Sequence, residues 1–342
     1  VNRMGLFENG KIVVRDVGAP DFREHMRRAN GRTLLVPALA ERVARHGGFI
    51  ALSNVSPGAA FFLDPDAHGY VYHRSGSHGP GGEKLPATTW SHDGAGDWMM
   101  TQRFCSEVIR ERKPAVAAMW LTDPDHATHG VPLGSPAHHD ALAGVDRCVR
   151  EVARTVEALR QDGEDILLLV GADHGHETIG AAVDIEAWLE QQGLGEHFAT
   201  GDVAVAGQGT SALLYATDRG RPALLGVLEA MRRERWAGGV VVGDEMLRRG
   251  FAPTAGVVAA VNMAREPDAN PYGVPGKRWV VKEDDKPVPV GSGQHGGADL
   301  SRGLACRLER VHLLLLDPME YVFQHDNRVV NHETHCQSNG HQ

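Results

Sequence analysis

The chain alternates short apolar segments with amphipathic ones, and this alternation is what most constrains its fold. In the first half, apolar runs bounded by turn residues predict strands at 48–54, 115–122 and 165–172. Apolar residues that recur every three or four positions predict helices at 35–46, 101–112 and 141–159. Strands and helices in this order are typical of a parallel sheet covered by helices. We therefore predict an α/β fold with a mostly parallel central sheet and helices on both faces.

The second half of the chain continues this pattern. Its predicted helices are 185–192 and 222–233, and its predicted strands are 203–206, 211–216, 240–242, 256–262 and 311–316. Residues 64–97 and 265–297 lack periodicity, and loops of this length in a compact domain usually serve a functional site. No linker divides the chain. We predict a single domain over 1–322 with long active-site loops, followed by a polar, histidine-rich tail over 323–342.

Composition excludes several classes of partner. The 35 basic and 44 acidic side chains give a formal charge of −9, whereas a nucleic-acid duplex is bound by clustered cations. No apolar run approaches the ~18 residues of a membrane-spanning helix. The four cysteines are far apart in sequence and predict neither a disulfide framework nor a cysteine zinc site. We expect a soluble protein that acts on a small molecule, and the sequence determines neither its compartment nor its oligomeric state.

Acidic residues and histidines follow two of the predicted strands. Asp125 and His129 come after strand 115–122, and Asp173 and His174 come directly after strand 165–172. Because ligands bind outside the carboxyl ends of the strands in an open parallel sheet, these side chains should meet at one edge. Carboxylate and imidazole groups are ligands for zinc, and also for manganese and iron. His295, in a turn-rich loop late in the chain, is a further candidate ligand.

The spacing of these residues indicates two metal ions. Asp125 and His129 are four positions apart, so one helical turn would aim both side chains at one ion. Asp173 and His174 are adjacent and could serve a second ion once the chain turns away from the sheet at Gly175. Two ions ~4 Å apart clamp the attacking and leaving oxygens of a displacement reaction. The pattern therefore predicts a two-metal hydrolytic centre.

Three ordered motifs resemble the alkaline phosphatase superfamily, most closely its type I phosphodiesterase/nucleotide pyrophosphatase branch, which includes phosphonoacetate hydrolase. The motifs are Pro124-Asp125 followed by His129-Gly130, then Asp173-His174-Gly175, then His295-Gly296. The resemblance implies an alkaline-phosphatase-like fold. It also implies that Asp125, His129 and His295 hold one zinc, while Asp173 and His174 hold the other with an upstream Asp. Thr128, Ala172 and His176 depart from the family pattern, which has Gly, Ser and Met there.

The N-terminal segment departs further from the family pattern. In the family a Thr or Ser nucleophile precedes an Asn-x-Met segment, and Asn2-Arg3-Met4 resembles that segment. The resemblance implies that Asn2 contacts a phosphate oxygen of the substrate. It also implies that the first strand, the nucleophile and any signal peptide lie upstream of Val1. Ser53 and Ser56 are the alternative nucleophiles inside the chain.

The expected function is metal-dependent hydrolysis of phosphate esters with two divalent ions, Zn²⁺ in the family, although Mn²⁺ or Fe would suit the same donors. Phosphodiesterase or nucleotide pyrophosphatase activity is the favoured form. Hydrolysis of phosphonoacetate or of a phosphomonoester is the alternative among hydrolases. An inactive metal-binding fragment is the alternative of a different class. The expected partner is a small phosphate ester, whose identity depends on pocket shape.

Overall fold

The computed structural model describes residues 3–19, 21–249, 256–283 and 287–297. Its strands are β1 (Arg3–Glu8), β2 (Lys11–Asp16), β3 (Phe49–Ser53), β4 (Tyr70–Tyr72), β5 (Ser77–His78), β6 (Lys84–Leu85), β7 (Val116–Trp120), β8 (Glu177–Val183), β9 (Val203–Gly207), β10 (Ser211–Ala216), β11 (Ala237–Val242), β12 (Val257–Met263), β13 (Arg265–Ala269), β14 (Pro275–Val281) and β15 (Gly293–Gln294). Its α-helices are α1 (Phe22–Asn30), α2 (Leu39–Val43), α3 (Pro57–Phe62), α4 (Gly94–Arg103), α5 (Asp125–Thr128), α6 (Pro136–Gln161), α7 (Ile185–Leu189), α8 (Gly195–Thr200), α9 (Arg221–Met231) and α10 (Asp244–Arg248).

One sheet has the strand order β6-β5-β4-β3-β7. Strands β4, β3 and β7 run parallel, whereas β5 and β6 are antiparallel additions at the far side. The residues that follow β4, β3 and β7 therefore emerge side by side along one edge, which we call the carboxyl edge (73–74, 54–55 and 121–125). This is the edge at which open α/β sheets bind ligands.

Helices cover both faces of this sheet, as the sequence predicts. Side chains alternate along β3, so Ile50 and Leu52 face one side while Phe49 and Ala51 face the other. The first pair packs against α4, α6 and the π-helical extension of α4 at Phe104–Arg112. The second pair packs beside Ala40 of α2. The predicted helix 141–159 lies within α6, which begins at the capping hydroxyl of its N-cap serine.

The α/β fold with helices on both faces is confirmed, and the other sheets show that its strand pairing is mixed and not purely parallel. The order β11-β12-β10-β9 is antiparallel throughout, and in β13-β14-β8-β15 only β14 and β8 run parallel. The strands predicted at 203–206, 211–216, 240–242 and 256–262 are present as β9 to β12. Residues 265–297, expected to be a loop, contain β13 to β15, because cross-strand pairing outweighs their weak sequence periodicity.

The strand predicted at 165–172 does not form, although its side chains alternate as in a strand. Ile166 and Leu168 pack on the core of α4 and α6, whereas Leu167 and Leu169 are 70% and 53% exposed. A strand also needs a hydrogen-bonded neighbour. In the described residues β7 is the edge strand of its sheet, and no strand pairs with residues 165–172. The predicted helix 35–46 is likewise reduced to α2, Leu39–Val43.

The C-terminal predictions lie outside the described residues. These are the strand at 311–316 and the tail over 323–342. The single domain over 1–322 stays a prediction for the same reason. Within the described ranges, no helix combines the length and the apolar character needed to cross a bilayer.

Candidate metal centre

Asp125 lies on the carboxyl edge, directly after β7. The chain leaves β7 at Trp120 and enters the short helix α5, whose first residue is Asp125. Asp123, which precedes α5, stabilises the N-terminal end of this helix, because its carboxylate accepts a hydrogen bond from the backbone N–H of Ala127 at 3.2 Å. His129 follows one turn later, so its ring lies on the same side of α5 as Asp125.

A buried carboxylate holds this turn in place. Asp97 of α4 is 1% exposed and accepts hydrogen bonds from the backbone N–H groups of Thr122 and Asp123, each at 3.0 Å. It also accepts one from the side-chain amide of Asn54, at 3.0 Å. Burial raises the pKa of Asp97, and these three donors oppose that shift. The turn that carries Asp125 is therefore fixed from below by the sheet and α4.

The other donors come from the strand pair β8 and β15. The antiparallel register places Gly293 opposite Thr178 and Gln294 opposite Glu177, so the next pair outward is His295 and His176. His174 stands two positions before His176. Residues two apart on an extended chain point to the same side, which brings both rings to the centre.

The backbone on both sides of His295 is anchored to the β9–β10 turn. The N–H of Thr210 donates to the carbonyl of His295 at 3.0 Å. A Cβ at position 296 would lie 1.7 Å from the carbonyl oxygen of Gln208, and φ is 97° there, so only glycine fits. This close approach fixes where His295 leaves the strand pair.

Four imidazoles converge on one carboxylate oxygen. The distances to Oδ1 of Asp125 are 3.4 Å from Nε2 of His129, 3.8 Å from Nε2 of His174, 3.0 Å from Nε2 of His176 and 3.4 Å from Nε2 of His295. Ligand atoms of Asp125, His174, His176 and His295 all lie within 4.8 Å of one another. The rings of His174 and His295 stack with centroids 3.8 Å apart.

The donor set fits a divalent cation. Oδ1 of Asp125 and Nε2 of His176 are buried, and neither has a partner in hydrogen-bond geometry. Buried polar atoms without partners are costly, and a cation between them would satisfy both. Nitrogen and oxygen donors of this kind are those of catalytic zinc sites.

Electrostatics at the site keep the donors in metal-binding form. Burial alone would raise the pKa of Asp125, but the neighbouring His129 and His176 imidazoles and the charge of His295 outweigh it, so the pKa is lowered. Burial lowers the pKa of His295 to about 3, and the charge of His174 adds to this shift. Asp125 is therefore anionic and His295 neutral at pH 7, which are the states that bind metal.

The structure brings four of the five predicted ligands close together and leaves the fifth, Asp173, beside them. Asp125, His174 and His295 belong to the convergent group, and His129 reaches the same oxygen from α5. Oδ2 of Asp173 lies 3.3 Å from Nε2 of His174, so it is next to the group and outside it. The sequence analysis did not assign His176 as a ligand, although its position two residues after His174 was a usable signal.

The remaining predicted site residues are Asn2, Ser53 and Ser56. Asn2 is outside the described residues. Ser53 is fully buried at the end of β3, and its hydroxyl has no partner, so it has no access to a substrate. Ser56 is exposed and precedes α3 as the N-cap residue.

Comparison with known proteins agrees with this geometry. Residues 40–234, more than half of the chain, match the family model for type I phosphodiesterase/nucleotide pyrophosphatase. No curated protein sequence matches the chain at a significant level.

Solved structures share the fold at low identity. Phosphonoacetate hydrolase from Sinorhizobium meliloti 1021, in complex with phosphonoacetate, superposes with a TM-score of 0.58 at 13% identity, over 87% of this chain and 71% of that one. Murine ectonucleotide pyrophosphatase/phosphodiesterase 5 gives 0.53 at 13% identity, over 87% and 67% of the two chains. An inactive variant of the murine protein, in complex with AMP, gives 0.52 at 14% identity with the same coverage.

The family match covers the strand-terminal turn that carries Asp125, and the superpositions extend the likeness to most of the fold. The chain therefore belongs to the type I phosphodiesterase/nucleotide pyrophosphatase family, a family of metal-dependent phosphate-ester hydrolases in the alkaline phosphatase superfamily.

Proposed function

We propose that this protein hydrolyses phosphodiester or pyrophosphate bonds of small molecules with two divalent metal ions, Zn²⁺ being the best match to the donors. The observation that carries the proposal is the convergence of four histidine Nε2 atoms on Oδ1 of Asp125. Two solved relatives of the same fold hold phosphonoacetate and AMP. These ligands support a small phosphate- or phosphonate-containing substrate.

Five donors stand at the centre and a sixth, Asp173, stands next to it; the five are Asp125, His129, His174, His176 and His295. A catalytic zinc ion is held by three protein ligands and keeps a position open for substrate or water. Six donors therefore suffice for two such ions. We assign Asp125, His129 and His295 to one ion, and Asp173 and His174 to the other, with His176 as the donor available to complete that set.

Bound ions would polarise a phosphoryl oxygen and stabilise the attacking and leaving oxygens. The chain's own contribution is to hold that centre in place. Asp97 fixes the turn of Asp125 and His129, and the β8–β15 pair fixes His176 and His295. The anionic Asp125 and the neutral His295 need no proton loss before they bind metal at neutral pH.

The attacking hydroxyl is the part of the proposal that rests on the family resemblance. We assign it to a Ser or Thr outside the described residues, and assign to Asn2 a hydrogen bond to a non-bridging phosphate oxygen. Such a donor stabilises charge that grows in the transition state. The same assignment makes Ser56 dispensable for catalysis.

Metal analysis combined with hydrolysis of bis(4-nitrophenyl) phosphate and 4-nitrophenyl phosphate tests the proposal. We expect about two zinc ions per chain, as the two-metal mechanism requires, and faster turnover of the diester by the longest native gene product. Asp125→Ala should lose metal and activity together, while the exposed Asp140→Ala on α6 should lose neither. Metal content unchanged by Asp125→Ala would contradict the site assignment. Faster turnover of the monoester would replace the diester by a phosphomonoester substrate.

A further inference from the structure

Arg74 stands on the carboxyl edge beside the metal centre, and the proposed chemistry does not use it. It lies two residues after the end of β4, and β4 is a neighbour of β3, which is a neighbour of β7. Parallel strands lie ~4.8 Å apart. The ends of β4 and β7 are therefore roughly 10 Å apart along the edge that carries Arg74 and Asp125.

No described residue neutralises the charge of Arg74. No carboxylate lies within ion-pair distance of it in the part of the chain that the structure describes, although its side chain is half-buried. Within the described residues the polar contacts of its guanidinium all involve Nη1, which donates to the carbonyls of Val55 at 2.9 Å and Asn54 at 3.3 Å and lies 3.0 Å from Nε2 of His73. Arg278, by contrast, binds both carboxylate oxygens of Glu177.

The neighbouring His73 does not neutralise the charge of Arg74. The backbone N–H of Ser75 donates to its Nδ1 at 3.0 Å, so the proton of the neutral ring is on Nε2, which donates to the carbonyl of Val55 at 2.9 Å. Burial lowers the pKa of His73, and the charge of Arg74 adds to that shift. Among the described residues no group contacts the Nε and Nη2 side of the Arg74 guanidinium, so this side is left for a ligand.

Two further histidines lie between Arg74 and the centre. His92 and His126, which is adjacent to Asp125, have ring centroids 4.3 Å apart. The pKa of His92 is lowered to about 4. Burial is the largest cause, and the charges of Arg74 and His126 add to it. The region between Arg74 and Asp125 therefore contains the imidazoles of His92 and His126, and the carboxylates of Asp93 and Asp123 lie close enough to His126 to interact with it.

We propose that Arg74 binds a second anionic group on the leaving group of the substrate, so that the enzyme prefers phosphate esters whose leaving group carries a carboxylate or a phosphate. The inference rests on the proposed function, because it places the scissile phosphate at the metal centre. A guanidinium with two free N–H donors binds either oxyanion in bidentate fashion. The shared chemistry is a planar or tetrahedral oxyanion at the far end of a small substrate.

Binding of stable probes to the zinc-loaded protein tests the subsite by isothermal titration calorimetry. Methyl phosphate has no second anion, phosphoglycolate adds a carboxylate, and ethylene glycol bisphosphate adds a phosphate. We expect one of the two probes with a second anionic group to bind about tenfold tighter than methyl phosphate, which is the effect of one charge-assisted bidentate contact. Which of them binds tighter identifies the oxyanion.

Three variants separate recognition from a structural role. Arg74→Ala should abolish the tenfold preference while zinc content and methyl phosphate affinity stay within twofold. Arg74→Lys should restore part of the preference, because it keeps the charge without the bidentate fork. Arg45→Ala, on an exposed arginine beyond α2, is the matched control and should change nothing.

Each contrary result has a distinct meaning. Equal affinity for all three probes in zinc-loaded wild-type protein contradicts the Arg74 subsite and leaves the metal centre standing. Equal losses for every probe in Arg74→Ala show that Arg74 supports the Asn54–Val55 turn instead of binding substrate. Failure of the protein to bind zinc contradicts the proposed function itself.

Discussion

Two segments deliver ligands to the same centre, and they are supported very differently. Residues 121–129 sit on the buried Asp97 carboxylate, which binds the N–H groups of Thr122 and Asp123. Residues 171–175 are exposed, and the hydrogen bonds of His174 within the described chain are local, to Asp173 and Gly175. One half of the centre is therefore preorganised by the protein, whereas the position of the other half depends on what binds there.

The largest effect should come from removing the shared ligand. Asp125→Ala deletes the oxygen on which four imidazoles converge, and we expect zinc affinity to fall by more than about 100-fold, beyond the range for groups that only orient a ligand. Competition with a fluorescent chelator measures this affinity. Asp140→Ala is the control. Retained zinc affinity in Asp125→Ala would show that the exposed segment can hold metal without the preorganised one.

Removing the support should cost less than removing the ligand. Asp97→Ala leaves the N–H groups of Thr122 and Asp123 without a partner, so zinc affinity should fall about 10- to 100-fold. The free energy of unfolding should fall by about 1–3 kcal/mol for the unsatisfied donors. Chelator competition and urea denaturation give the two quantities, and Asp97→Asn should lie between Ala and wild type. An unfolding loss with unchanged zinc affinity would mean that the turn of Asp125 forms without Asp97.

Metal removal should act on only one of the two segments. Chelation by EDTA should increase amide hydrogen exchange at 171–176 by about tenfold or more, since exchange follows local opening. Exchange at 122–128 should stay within about twofold, because its bonds to Asp97 do not involve the metal. Mass spectrometry of peptic fragments resolves the two segments. Equal changes in both would remove the distinction between them.

Two leucines that precede the exposed segment test how strongly the chain is packed there. Leu168→Ala should lower the free energy of unfolding by about 1–2 kcal/mol, because Leu168 packs on the core of α4 and α6. Leu167→Ala should change it by less than about 0.5 kcal/mol, because Leu167 is 70% exposed. Urea denaturation of metal-free protein compares the two variants. Similar losses would show that Leu167 is covered in solution.

The smallest expected effect is on the pH dependence of stability. Burial lowers the pKa of His73 below its ordinary value of 6.5. The unfolded chain therefore takes up a proton below that pH while the folded chain resists it, so this contribution is complete above pH 6.5 and is lost as pH falls. The melting temperature of metal-free protein should decline from about pH 7 towards about pH 4.5. His73→Gln should make the decline shallower, and an unchanged slope would exclude His73 as a cause.

The sequence predicts the preorganised half better than the exposed half. Strand 115–122 and the turn with Asp125 follow from local periodicity and from the rule for carboxyl ends of strands, and β7 and α5 confirm that placement. The role of Asp97 is not readable, because its partners are 25 and 26 positions away. The prediction of a strand at 165–172 is wrong, because the alternation of its side chains does not supply a hydrogen-bonded neighbour.

His176 and the β8–β15 pair show a second limit of sequence reasoning. The pairing that brings His295 beside His176 joins positions more than a hundred residues apart, and β15 is only two residues long. Weak periodicity in 265–297 hides this contact. Adjacent motifs such as Asp173-His174 are visible at once, but which side chains share an ion depends on the register of distant strands.

The open side of β7 has a consequence for handling the protein. In the described residues β7 has a partner on one side only, and beside the same core lies an apolar run with Leu167 and Leu169 exposed. Unpaired strand edges next to exposed apolar chain are templates for pairing between molecules, and from there for aggregation. At high concentration the solubility of this chain should therefore depend on whether that edge is covered, independently of the metal centre beside it.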